Sequence, residues 1–173
     1  MSVELKLARC TLRPWRSGDE PSLARYADNR NVSRNLEDRF PYPYTTADAA
    51  DWIARAGAQA PPISFAIVVD GAAVGGIGIE LGTDVFRRSA TIGYWLGEPF
   101  WGRGIATEAL RAVTDYAFER FDICRLQAGV FDWNPASARV LEKAGYILEG
   151  RARLGVFKDG RLGDRLLYAR VRP

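Results

Sequence analysis

The 173-residue chain contains no histidine. That removes the commonest general base and the commonest transition-metal ligand. Catalysis through Ser-His-Asp or Cys-His pairs is excluded outright. Cysteine is scarce as well. Cys10 and Cys124 stand alone, without metal-ligand spacing, and no metal is expected. Two reduced, buried thiols in a cytoplasmic protein are expected rather than a disulfide. No apolar run approaches the roughly 20 residues that span a membrane, and the N-terminus lacks a signal-peptide pattern. Lysine is rare too: of 24 basic residues 21 are arginine, scattered along the chain, and the net charge is only +3. Solvated faces account for them, so neither a nucleic-acid nor a membrane partner is expected. Repeats, low-complexity tracts and linkers are also lacking, which predicts one domain over residues 1–173.

What is there reads as alternating strands and helices. Residues 3–13 alternate as a strand and end at Pro14. Ser17-Gly18-Asp19 offers a helix cap, followed by an apolar stripe of Leu23, Tyr26 and Ala27. Residues 29–44 are irregular and rich in Asn, Arg and aromatics, and a loop this long in a small domain is usually functional. Thr45-Thr46-Ala47-Asp48 opens a second helix, with Ala49, Trp52, Ile53 and Ala56 expected inward. Strands are expected at 64–69, 73–81 and 89–96, the first two joined at the Asp70-Gly71 turn. Residues 103–121 form the strongest helix. Ala106, Ala109, Leu110, Val113 and Ala117 share one face, and Glu108, Arg111, Asp115 and Glu119 face out. A strand at 125–131 follows, then a helix capped by Asn134, with Pro135 at its first position and Gly145 at its end. A final hairpin joins 146–157 to 162–171. The order β α α β β β α β α β β is α+β in class (α/β by some schemes), with seven strands and about four helices.

The most informative stretch runs from Leu96 to Ala109. An aromatic strand enters it, a long amphipathic helix leaves it, and Gly97, Gly102 and Gly104 lie between. Glycines let a ligand approach the backbone, and the first N–H groups of a helix favour an anion. A P-loop is excluded, because Arg103 and Gly104 follow Gly102 where Lys and Ser/Thr are needed. A dinucleotide fingerprint is excluded, because Thr107 stands at the third glycine position and the preceding strands are antiparallel. A pyrophosphate cradle and a plain glycine-rich turn both remain open on these residues alone.

Gly93-Tyr94-Trp95-Leu96 with Phe100-Trp101-Gly102-Arg103-Gly104-Ile105-Ala106-Thr107-Glu108-Ala109 resembles the acetyl-coenzyme A motif of the GNAT acetyltransferases, in particular the RimJ/RimL-like branch. Residues 134–146, Asn-Pro-Ala-Ser-Ala-Arg-Val-Leu-Glu-Lys-Ala-Gly-Tyr, are similar to that branch's second signature. Leu12-Arg13-Pro14-Trp15 and the stretch from Asp159 to Tyr168 fit as well. The resemblance implies a mixed, mostly antiparallel sheet with a splayed central strand pair. The pantetheine arm would lie along residues 91–96, including Trp95 and Leu96, beside residues 125–131. Trp101, Gly102, Arg103, Gly104, Ile105, Ala106 and Thr107 would hold the pyrophosphate, with Asn134 and Ser137 as further coenzyme contacts. The implied cosubstrate is acetyl-CoA, and the implied assembly is a monomer or homodimer.

Acyl transfer from a thioester to an amine needs a neutral amine, a polarised carbonyl and a proton for the thiolate. The backbone N–H of Leu96 is the candidate for the carbonyl. The resemblance makes Ser137 the candidate acid, because Leu141 stands where many relatives carry a tyrosine. The glutamate often found on the central strand is missing, which leaves Glu98, with Glu80 and Asp132, or a water relay, as candidate base. So weak a base inventory points to a protein or peptide N-terminus as acceptor, since an α-amine titrates at about 7.7–8.0 and lysine at about 10.4. A small-molecule amine acetyltransferase and a non-catalytic acyl-CoA-binding module are the alternatives. Residues 29–44 and the final hairpin are expected to form the acceptor site, lined by Phe40, Tyr42, Tyr44, Phe131, Trp133 and Phe157.

Overall fold

A computed structural model describes residues 3–172, so Met1, Ser2 and Pro173 of the expected domain span lie outside the described residues. The eight strands are ordered β1-β2-β3-β4-β5-β6-β8-β7 in one mixed sheet. Contacts divide the chain into two units, 1–78 with 94–109 and 79–93 with 110–173.

In the first unit the expected opening strand is broken into β1 (Leu5–Lys6) and β2 (Thr11–Arg13). The chain reverses at Leu7, whose N–H donates to the Cys10 carbonyl at 2.9 Å, and Leu5 then pairs with Leu12. This hairpin accounts for eight strands instead of seven. α1 (Glu20–Ala27) begins where expected, but Asp19 does not cap it with its side chain. Its carboxylate is taken by the Arg13 guanidinium in two hydrogen bonds of 2.7 and 2.8 Å, both groups being buried. A charge-assisted bidentate pair in low dielectric outcompetes a cap. α2 (Arg30–Ser33) is a single turn inside the stretch read as irregular, started by the Asn29 side chain, and it brings the helix count among the described residues to five.

α3 (Thr46–Gly57) opens with a reciprocal capping box between Thr45 and Asp48. Ala49, Ile53 and Ala56 are buried, but Trp52 is 37% exposed at the margin of that stripe, a departure from the expected inward set. β3 (Ser64–Val69) and β4 (Ala72–Leu81) turn through Asp70 and Gly71, both at positive φ. Trp15, Leu23, Ala27, Tyr44, Ala49 and Ile53 are among the core residues of this unit.

In the second unit β5 (Ser89–Leu96) starts parallel to β6 (Arg125–Phe131). Their pairing among the described residues covers Ser89 to Thr91 against Arg125 to Gln127 and then stops, whereas β6 pairs with β8 up to Phe131. This is the splayed central pair. α4 (Ile105–Arg120) buries Ala109, Leu110, Val113 and Ala117. Glu108, expected outward, is half-buried, because backbone N–H groups claim its carboxylate. α5 (Pro135–Lys143) is capped by Asn134, and the chain closes with β7 (Ile147–Lys158) and β8 (Arg161–Val171). Tyr146 is buried, its hydroxyl 2.7 Å from that of Thr114, which donates to the Leu110 carbonyl. Cys10 is buried as expected. Cys124, expected buried, is exposed, with its thiol 3.4 Å from the Arg88 carbonyl.

Candidate active site

The first unit gathers Trp95, Leu96, Glu98 and residues 101–107. β5 ends against β4 at very short range: a Cβ on Gly75 would lie 2.5 Å from the Trp95 carbonyl oxygen. The glycines of β4, which weaken the strand on propensity alone, are what admit the end of β5. The Leu96–Gly97 peptide is pinned at both ends. Its N–H donates to the Val74 carbonyl at 2.8 Å, and its carbonyl accepts from the Trp101 indole N–H at 2.7 Å. A 3-10 turn, Glu98–Phe100, carries the chain from there to the glycines.

Gly102 and Gly104 lie at φ 73° and 75°, a region that favours glycine. The space where a Cβ of Gly102 would sit is open to 4 Å. The Gly104 carbonyl accepts from the Glu108 N–H at 3.1 Å, which starts α4. Ile105, Ala106 and Thr107 therefore have no acceptor for their N–H groups within the helix. Left-handed glycines next to free helix N–H groups make a concave anion site.

Two arginines are placed near this loop, Arg103 within it and Arg9 from the turn between β1 and β2. The Arg103 guanidinium lies over the Phe100 ring, 5.3 Å from its centroid. Arg9 comes to Gly104: a Cβ there would be 3.4 Å from Arg9 Nε. Glu108 holds that turn by accepting from the Ala8 and Arg9 N–H groups at 3.2 and 2.9 Å, and lies 3.7 Å from the Arg9 guanidinium. Arg9 is about 100 residues from the loop in sequence, so only the fold reveals it.

Glu98 is exposed, and its two oxygens accept three hydrogen bonds. Asn29 Nδ2 donates to Oε2 at 2.7 Å, and Asn31 Nδ2 donates to both oxygens at 3.1 and 3.2 Å. The Asn29 bond first, then the Asn31 bonds, hold its carboxyl below the ordinary carboxylate range. Burial, helped by Glu108, pushes the Cys10 thiol up to about 11, which disfavours the nucleophilic thiolate.

The second unit brings Asn134 and Ser137 together at the start of α5, where Asn134 Oδ1 accepts from the Ser137 N–H at 3.3 Å. Asp132, at the end of β6, has one oxygen buried without a hydrogen-bond partner and the other 3.7 Å from Arg151. Glu80 is exposed on β4. The aromatic residues expected at the acceptor fall in two groups. In the first unit Phe40 packs on Tyr44 and Trp95, with Tyr44 buried and Tyr42 half-exposed under Arg30. In the second, Phe131 and Trp133 pack with tilted rings, centroids 5.0 Å apart, while Phe157 is exposed.

The family model for the acetyltransferase (GNAT) domain matches residues 9–147. A Bacillus subtilis protein named "Probable N-acetyltransferase YjcK" is 45% identical over 86 residues, covering 50% of this chain and 48% of that one. The ribosomal-protein-serine acetyltransferase of Escherichia coli is 34% identical over 85 residues, covering 49% of this chain and 48% of the enzyme. The chain thus spans about half the length of these curated relatives. Among solved structures, Mycobacterium smegmatis RimJ in complex with CoA-disulfide superposes with a TM-score of 0.82 at 28% identity, covering 98% of this chain and 86% of that one. No helix among the described residues is long and apolar enough to cross a membrane.

Proposed function

The chain belongs to the GNAT acetyltransferase family, and from that premise we propose that it transfers an acetyl group from acetyl-CoA to the α-amine of a protein or peptide N-terminus. The observation that carries the donor half is the loop from Gly102 to Thr107, with two left-handed glycines opening on free helix N–H groups. Its open space and positive character fit a pyrophosphate, and Arg9 adds a cation at Gly104. Trp95 and Leu96 at the end of β5 would pair with the pantetheine arm. Asn134 and Ser137 are further coenzyme contacts, each assigned from its own signature. The family match runs through both units, which supports reading residues 1–173 as one transferase domain. A cytoplasmic location belongs to the same reading.

Acetyl-CoA supplies the thioester acyl group. The amine attacks the thioester carbonyl directly, so the new C–N bond forms as the C–S bond breaks. The Leu96 N–H polarises the carbonyl oxygen. The proton lost by the amine passes to water, and the Ser137 hydroxyl protonates the leaving thiolate, regaining its own proton from solvent. Water suffices as the base because an α-amine is already about a quarter to two-fifths neutral near pH 7.5, whereas a lysine side chain is only about 0.1% neutral. The name of the Escherichia coli relative, a ribosomal-protein-serine acetyltransferase, agrees with a protein acceptor.

The test is thiol release from acetyl-CoA against a peptide library with free and blocked N-termini. Turnover is expected on free N-termini and lost on blocked ones. Steady activity confined to lysine side chains or aminoglycosides would overturn the acceptor assignment.

A further inference from the structure

Glu98 is the carboxylate that the sequence puts forward as base, and its surroundings suit a different task. Three N–H bonds from two asparagine side chains occupy both of its oxygens. Each donor is fixed in turn. Asn29 uses its amide at both ends: Oδ1 accepts from the Asn31 N–H at 2.8 Å and starts α2, while Nδ2 reaches Glu98. Asn31 lies within the first turn of α2, and its own carbonyl accepts from Asn35 Nδ2 at 3.2 Å. The turn that carries Glu98 is anchored as well. Gly97 is bonded to Val74, Trp101 to Leu96, and Phe100 sets its ring edge-on to Tyr26 at 5.3 Å.

We propose that Glu98 is a positioning residue: it straps the start of the 29–44 segment to the turn between β5 and the glycine loop, and it takes no proton from the amine. A base must present a free lone pair and accept a proton there. Three of the roughly four acceptor positions of the Glu98 carboxylate are taken by the asparagine N–H groups, and those donors lower its affinity for a proton. The strap joins the end of β5, where the donor thioester is read to lie, to the segment read as the acceptor wall. Its loss should therefore register in acceptor binding. This inference rests on the acceptor reading given under Proposed function.

The experiment compares Glu98→Gln, Asn31→Ala and the double variant with the wild-type chain, from about pH 6 to about pH 9. A free-N-terminus peptide is the acceptor, each substrate is varied in turn, and thermal midpoints are recorded. Glu98→Gln should raise the acceptor KM about three- to tenfold, leave kcat within about twofold and keep the acid limb of the pH profile. Asn31→Ala leaves the Asn29 bond in place and should raise the acceptor KM by a smaller factor, and the double variant should be no worse than Glu98→Gln alone, because the Asn31 bonds are part of what Glu98→Gln disturbs. A fall in kcat of about a hundredfold or more with loss of the acid limb makes Glu98 the base and overturns the proposal. Fully additive effects overturn it, as does an acceptor KM unchanged in all three variants. Should Glu98→Gln fail to fold, the acceptor KM of Asn31→Ala alone decides by the same criterion. If the wild-type chain acetylates no peptide, the function reading falls by itself. The strap is then read from the Asn29 and Asn31 side-chain amide NMR signals, which must shift in Glu98→Gln.

Discussion

Ser137 occupies the first turn of α5, and Asn134, three residues earlier, holds that turn with a cap bond to the Ser137 N–H. The backbone N–H makes this bond, so the hydroxyl is not needed for the cap. Removing Oγ therefore tests the acid role while this cap bond stays. Ser137→Ala should lower kcat about ten- to a hundredfold while the KM for acetyl-CoA stays within about twofold. Steady-state kinetics with acetyl-CoA varied checks this, and an unchanged kcat would remove Ser137 from the mechanism. Trp101 is a side chain to which the structure adds a task beyond the one read in sequence. Its motif position makes it an expected coenzyme contact, and in the structure its indole N–H also closes on the Leu96 carbonyl and fixes the peptide that ends β5.

β2 and α1 are joined by Arg13 and Asp19, a buried pair with two short hydrogen bonds, and the Arg16 N–H adds a third donor to Asp19 at 3.1 Å. Arg13→Met should cost about 3–5 kcal/mol, because it strands a buried carboxylate, while Arg13→Met with Asp19→Leu should recover most of that loss. Urea unfolding of both variants measures the difference. The same pair shows what the sequence reveals about elements. Thr45 to Asp48 was legible as a helix start because a capping box is local, and the bounds of β3, β5 and β6 were legible because alternation and turn residues are local too. Ser17 to Asp19 looks like the same kind of signal, yet a partner six residues upstream captures the carboxylate. The β1–β2 reversal and the α2 turn were hidden for a similar reason: a two-residue ladder and an asparagine cap carry too little pattern to stand out. Within the site, the glycine loop and the Asn134 start of α5 were legible. Arg9 at Gly104 and the tie from Glu98 to Asn29 and Asn31 were not, since each joins residues about 70 or more positions apart.

Across the whole molecule the missing histidine shapes the response to pH. No side chain with an ordinary pKa titrates between the carboxylates and the thiols. On the acid side, Asp48 is held low by the Thr45 hydroxyl, Glu98 by Asn29, Glu149 by Arg125, and Asp164 by the Leu154 N–H and then Arg151. A carboxyl whose folded pKa is depressed adds stability above its unfolded pKa and loses it as pH falls through the folded value. On the alkaline side, burial raises Cys10 from 9.0 to about 11, and Tyr44 and Tyr146 from 10.0 to about 12. For these groups the protonated form is favoured in the fold, so their stability is present below the unfolded pKa and lost as pH rises through the folded one. The melting temperature should therefore be flat from about pH 5.5 to about pH 8.5, fall below about pH 4.5, and fall again above about pH 9. Thermal melts across that range check the shape. About 0.5 M salt should shrink the acid-side loss, because Arg125–Glu149 and Arg151–Asp164 are surface pairs that salt screens. It should leave the alkaline fall in place, since burial of neutral groups is not screened. A melting curve that instead slopes through neutrality would show that some group outside this set changes its protonation on unfolding.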